Sequence, residues 1–206
     1  MIGRETPNQR IIRALKLASL SLVVICLSGT SLYAQSSKKT VLRRRTLVVE
    51  PMEITVEYRG QPVKVNEVFD GDADWLKNLT LKLKNRSAKT ITYVVLNLVF
   101  PETAANLDGR VGMHQIFRGI DPDRKLLGPE LRLAPGESTL IRLDREHRDI
   151  WSLVEVGAKL RIEDISRMIV DLHTVLFDDG TLFSAGSMYR RNPDPNDPHK
   201  WIAIDK

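Results

Sequence analysis

From residue 47 onward the chain alternates between apolar and polar positions with the period of β-strands. Leu47, Val48 and Val49 form a short apolar run that Pro51 follows. Ile54, Val56 and Tyr58 then alternate with Thr55 and Glu57, and Val63, Val65 and Glu67 alternate with Lys64 and Asn66. Arg59-Gly60-Gln61-Pro62 lies between the two runs, so the pair predicts a β-hairpin. Leu79, Leu81 and Leu83 are interleaved with Thr80, Lys82 and Lys84, which is the pattern of a half-buried strand. After a turn at Asn85-Arg86-Ser87-Ala88-Lys89, residues 90–100 are rich in β-branched and aromatic side chains and apolar on both faces. This predicts a central strand, ended by Pro101 and joined to the preceding strand as a second hairpin.

Residues 102–128 are less regular, with one short strand expected near 113–117. Ala134-Pro135-Gly136-Glu137 reads as a turn, and residues 139–143 return as a strand. A short helix capped by Asp144 is expected over 144–154. Residues 165–177 fit both periods. Their β-branched content and the Asp178-Asp179-Gly180 turn before Thr181-Leu182-Phe183 favour a strand from about Met168. The last segment, 189–206, is spaced by Pro193, Pro195 and Pro198 and ends in Trp201-Ile202-Ala203-Ile204, which has strand character. We expect this tetrapeptide to fold back on its own domain as an extra edge strand, rather than to serve a second chain by β-augmentation. The whole predicts an all-β domain over 46–188, a β-sandwich of about seven or eight strands with one short helix.

Several turns carry a family likeness. Lys84-Asn85-Arg86-Ser87 with re-entry at Lys89-Thr90-Ile91 is followed by Leu133-Ala134-Pro135-Gly136-Glu137-Ser138 and then by Phe177-Asp178-Asp179-Gly180-Thr181. In this order they resemble small secreted bacterial immunoglobulin-like or FxLYD-like envelope modules, over about residues 79–186. The resemblance implies an immunoglobulin-like sandwich outside the inner membrane, and it carries no catalytic residues to transfer.

The first 34 residues change how composition is read. Arg4, Arg10, Arg13 and Lys16 precede an apolar run over 17–27, and small residues lead to Ala34, the layout of a secretory signal peptide. The run is short for a membrane anchor, which needs about 20 apolar residues. Ile25 before Cys26 does not suit lipoprotein processing. Setting aside the four basic residues and Glu5 of this segment lowers the net charge from +5 to +2, which argues against nucleic acid as a partner. Cys26, the single cysteine, leaves with the segment, so disulfides do not hold the exported domain. Residues 35–45, with Lys38, Lys39 and Arg43-Arg44-Arg45, read as a basic linker. The expected location is periplasmic or extracellular.

Chemistry is sparse. Asp70, Asp72 and Asp74 alternate along a loop and form the one metal candidate, a Ca²⁺ loop. Trp75 and Leu81 occupy the positions where an EF-hand needs glycine and glutamate, so a solvated turn with Trp75 packed inward is the favoured reading. His114, His147, His173 and His199 show no metal-ligand spacing. Neither a G-x-S-x-G elbow nor a phosphate loop occurs, and no cofactor is expected. Asn78 and Asn85 head sequons that matter only where a glycosylation apparatus exists. Tyr93 and Val95, on the second face of the central strand, and Tyr189, Arg190, Arg191 and Trp201 in the tail have the composition of an interface. The function expected is a non-enzymatic binding module of the cell envelope whose partner is another envelope protein or an envelope polymer. A secreted hydrolase or carbohydrate-active domain is the alternative, to be recognised by convergent carboxylates or a histidine–carboxylate pair.

Overall fold

Strand alternation becomes two sheets in the computed structural model, which describes residues 36–43, 50–120, 129–194, 196–197 and 200–204. The leader read at 1–34, the apolar run at 47–49 and His199 lie outside them. Twelve strands occur among the described residues: β1 (Ser37–Arg43), β2 (Met52–Tyr58), β3 (Gln61–Val63), β4 (Val68–Gly71), β5 (Leu79–Asn85), β6 (Ile91–Phe100), β7 (Gly112–Gly119), β8 (Ser138–Arg142), β9 (Arg167–Phe177), β10 (Leu182–Ser184), β11 (Ser187–Arg191) and β12 (Trp201–Ala203). The only α-helix among them, α1 (His147–Trp151), runs on into a π-helical turn over Ser152–Gly157. The fold is all-β and sandwich-like.

The small sheet has the order β3-β2-β5-β8, antiparallel throughout. Its first hairpin turns through Arg59 (φ 51°) and Gly60 (φ 74°), a two-residue loop with both residues left-handed, tighter than the four-residue turn expected. Pro62 sits in the edge strand β3, where a missing N–H costs no ladder bond.

The large sheet is organised around β9. β6 pairs with it along nearly its full length and carries β7 on its other side. Across from β6, β9 pairs with β1 at its N-terminal end and with β10 at its C-terminal end. The sheet therefore forks, into β1-β4 at one end and β10-β11-β12 at the other. Leu81, Leu83, Val56 and Ile141 of the small sheet and Leu96, Leu98, Val170 and Val175 of the large one all belong to one buried core.

Three sequence expectations need correction. The strand count exceeds seven or eight, because β1, β4, β11 and β12 join the sheets as well. Ser37–Arg43 of the linker expected over 35–45 is no linker, since it forms β1, which lies inside the sheet, parallel to β9 and antiparallel to β4. Its basic residues misled because their partners are distant in sequence. The Lys39 side chain is 1% exposed, and its ammonium donates to the carbonyls of Glu163 (3.1 Å) and Ile165 (2.8 Å) over the Trp75 ring. Burial lowers the Lys39 pKa, an effect opposed by the charges of Glu102, Asp164, Asp72 and Glu163. Finally, β5 and β6 are not a hairpin, because they belong to different sheets.

The physical reason for that crossing is Asn85, which is fully buried. Its Nδ2 donates to the carbonyls of Lys89 (2.8 Å) and Leu133 (2.9 Å), and its Oδ1 accepts from the N–H (2.9 Å) and hydroxyl (2.7 Å) of Ser87. Its backbone N–H donates to Glu137 and its carbonyl accepts from Gly136. The asparagine turn and the proline-glycine turn are thus bonded to each other, with every polar atom of the buried amide satisfied. The short helix also differs in detail. It starts at His147 after Glu146, without a side-chain cap, and Asp144 instead accepts from Arg142 at 2.6 Å.

Candidate interaction face

A sandwich has two outer faces, and pairing register sets what each presents. On the small sheet, Glu53 lies beside Lys84, Thr55 beside Lys82, and Glu57 beside Thr80, which in turn neighbours Arg142. Leu140 is the apolar exception in this charge-alternating, solvated surface. The large sheet is the reverse. Met113, Val99, Ile169 and Leu42 stand in register on β7, β6, β9 and β1, and together make an apolar row across four strands. Their inward neighbours Leu98, Met168, Val170 and Val41 are all in the core, which places this row on the outer side. Met113 is 47% exposed, and Val99, Ile169 and Leu42 are half-buried.

Two residues further along the strands, Gln115, Asn97 and Asp171 form a polar row, with Gln115 Nε2 donating to Asn97 Oδ1 at 3.0 Å. The next row returns to Phe117 and Val95, followed by Thr174. A fourth combines Tyr93, Leu176, Leu182 and Tyr189. Cross-strand neighbours within a row are about 5 Å apart, and the rows follow one another at about 6.7 Å, two residues of extended chain.

The residues singled out in the sequence fall at one end of this face. Tyr93 and Val95 do lie on the second face of β6, but they are 4% and 5% exposed and form a small buried cluster with Leu176. Phe117, Leu182 and Trp201 pack against that cluster. They are therefore a foundation rather than a contact surface. Tyr189, Arg190 and Arg191 lie on β11, and Trp201 opens β12, which pairs antiparallel with β11. The Arg191 guanidinium stacks on the Trp201 ring at 4.6 Å from its centroid. The tail is folded in cis, as expected from its apolar end.

The acidic loop does not converge. Asp70 pairs with Lys38, Asp72 with Arg59, and Asp74 with Lys77, so each carboxylate is held by a different cation. No group of three metal-ligating side chains comes together among the described residues. Trp75 is packed inward, with its Nε1 donating to the Ile165 carbonyl at 2.9 Å.

One cluster escaped the sequence reading. Glu146 at the start of α1 bridges two side chains of the edge strand β7, meeting His114 Nε2 at 3.1 Å and an Arg118 guanidinium nitrogen at 3.1 Å. Arg118 also donates to the Phe117 carbonyl at 2.8 Å. This is a histidine–carboxylate pair, but the guanidinium occupies the second carboxylate oxygen, and the arrangement ties the helix to the sheet edge. Only the i, i+4 spacing of His114 and Arg118 along β7, which puts both on one side of a strand, was visible in advance. His147 next to Glu146 takes no part. Its pKa is lowered by burial and by the charge of Lys77. Comparison of the chain with family models, curated proteins and solved structures finds no match.

Proposed function

We propose that this protein is a non-enzymatic interaction module of the bacterial cell envelope, exported to the periplasm or beyond and immunoglobulin-like in fold, that binds a partner through the outer face of its large sheet. The contrast between the two outer faces carries the reading. One is salted with alternating charges, the composition of a surface kept in water. The other sets the apolar row of Met113, Val99, Ile169 and Leu42 beside the polar row of Gln115, Asn97 and Asp171 on seven-, ten- and eleven-residue strands. Contiguous apolar surface rimmed by polar groups marks interaction sites on soluble proteins. The turn chemistry shared with envelope modules points the same way. The hydrolase alternative rests on the His114–Glu146 pair, whose carboxylate already serves two partners.

A photo-crosslinking amino acid at Met113 or Phe117, and as a control at Lys82, tests this in the exporting cell. The expected outcome is a discrete cross-linked species from the large-sheet positions and none from Lys82. Equal labelling from both faces would overturn the proposal. So would a hydrolytic activity of the purified protein that His114→Ala abolishes.

A further inference from the structure

Asp171 is the anomaly on this face. It occupies the polar row beside Asn97, with the apolar row of Val99 and Ile169 on one side and Val95 and Phe117 on the other. Every carboxylate of the acidic loop has a cation, as do Glu53, Glu102, Glu146 and Asp179. Asp171 is half-buried and has neither a hydrogen bond nor an ion pair from its side chain among the described residues. Its row neighbour Asn97 already accepts from Gln115. A carboxylate set among apolar side chains loses part of its hydration, and a charge in that setting is stabilised by an opposite charge and by hydrogen bonds.

Resting on the reading above, we propose that the partner is a protein segment that places a lysine or arginine on Asp171, flanked two residues away on each side by aliphatic side chains. The spacing follows from geometry. An extended chain advances about 6.7 Å in two residues, which is the separation of the rows on the sheet. A cation over the polar row therefore brings its i−2 and i+2 neighbours over Ile169 and Val99 on one side and over Phe117, which packs on the buried Val95, on the other. Gln115 and Asn97 supply amide groups beside the guanidinium or ammonium, in line with the polar groups found inside interfaces. Charge complementarity selects a basic segment over an acidic one, since a like charge is repelled by Asp171 at close range.

The test is a nuclear magnetic resonance titration of the folded protein with acetyl-Val-Thr-Arg-Thr-Val-amide and its Gln-centred and Glu-centred counterparts. The Arg peptide is expected to bind at least tenfold tighter than the Glu peptide, with shifts centred on Asp171, Asn97 and Ile169. Asp171→Asn should bring the three within about twofold, and Asp70→Asn should change nothing. Equal binding of all three peptides, with Val99→Lys abolishing it, would overturn this inference and leave the wider reading intact. No peptide binding together with an absence of cross-links from Met113 and Phe117 would remove both. A lowered melting temperature in Asp171→Asn without any change in peptide affinity would assign the carboxylate to internal pairing and overturn the proposal. Retention of the protein on insoluble envelope glycan, with no peptide bound, would do the same.

Discussion

At the scale of single residues, the turns are where sequence and structure agree most closely, and Asp179 shows how much a turn residue does. Gly180 takes the left-handed conformation (φ 77°) that the Asp-Asp-Gly signal requires. Asp179 Oδ1 accepts from the backbone N–H of Thr181 (3.0 Å) and from its hydroxyl (2.6 Å), while Lys89 pairs with Oδ2 at 2.7 Å. Partial burial pushes its pKa up, but the hydrogen bonds from Lys89 and Thr181 outweigh this and hold it at about 2. A depressed carboxylate stabilises the fold above its unfolded pKa and loses that contribution as pH falls through the folded value. The stability gap between the native protein and Asp179→Asn should therefore be constant at neutral pH and close between about pH 4 and pH 2. The side chain is 43% exposed, so solvent screening keeps the gap below about 1 kcal/mol. Denaturant melts of both proteins across that range check it, and a gap that persists at pH 2 would contradict the assignment. Asn85 was legible only as a turn residue. Its burial depends on Leu133, 48 residues away, and no local pattern reports such a partner. Glu146 and His114, 32 residues apart, escaped for the same reason.

At the scale of elements, strand existence was legible and strand pairing was not. Period-2 alternation in β5 and double-sided apolarity in β6 identify a half-buried and a central strand, and the burial pattern of each agrees. Neither feature tells whether consecutive strands pair, so an arch between sheets looked like a hairpin. β1 was hidden because its buried face offers only Val41 and the stem of Lys39, and a lysine reads as solvent-facing until a tryptophan and two carbonyls are found around it. β12 was legible, since an apolar end after a proline-spaced linker calls for a docking place. The linker closes as a hairpin loop, with Asn192 N–H donating to the Lys200 carbonyl at 2.9 Å and Ile204 N–H to the Met188 carbonyl at 2.9 Å. Trp201 then lies against the Tyr93–Val95–Leu176 cluster. Trp201→Ala should destabilise the protein by about 2 kcal/mol, less than the about 3–5 kcal/mol of a fully buried large aromatic. Deleting residues 201–206 should cost at least as much. An unchanged melting temperature in the truncated protein would mean that β12 does not stabilise its own sheet.

At the scale of the whole molecule, the start of β1 sets where the expected leader can end. The chain from Gln35 onward forms one compact unit. Cleavage after Ala34 leaves β1 whole, because the strand begins at Ser37. Cleavage ten residues later would remove it. The loss would be severe for three reasons that act together. β9 would lose its partner on the β1 side over residues 167–170, keeping β6 beside Ile169 and Val170, and β4 would lose the one strand it pairs with among the described residues. The core would lose Val41, and the space beside Trp75, now filled by the Lys39 stem, would open. The carbonyls of Glu163 and Ile165 would lose the hydrogen bonds of the ammonium, Ile165 keeping only that of Trp75 Nε1. Hydrogen bonds to a charged group contribute about 1.5–3 kcal/mol each. Together with the missing strand, this approaches the about 5–15 kcal/mol that holds a domain of this size folded. A protein spanning residues 35–206 should therefore melt in one cooperative transition, and one spanning 45–206 should not fold. Intact-mass analysis of the exported protein should find a start at Gln35 or within a residue or two of it. A mature start beyond Lys39 in a protein that still melts cooperatively would show that β1 is dispensable and that the fork in the large sheet is held by β10 to β12 alone.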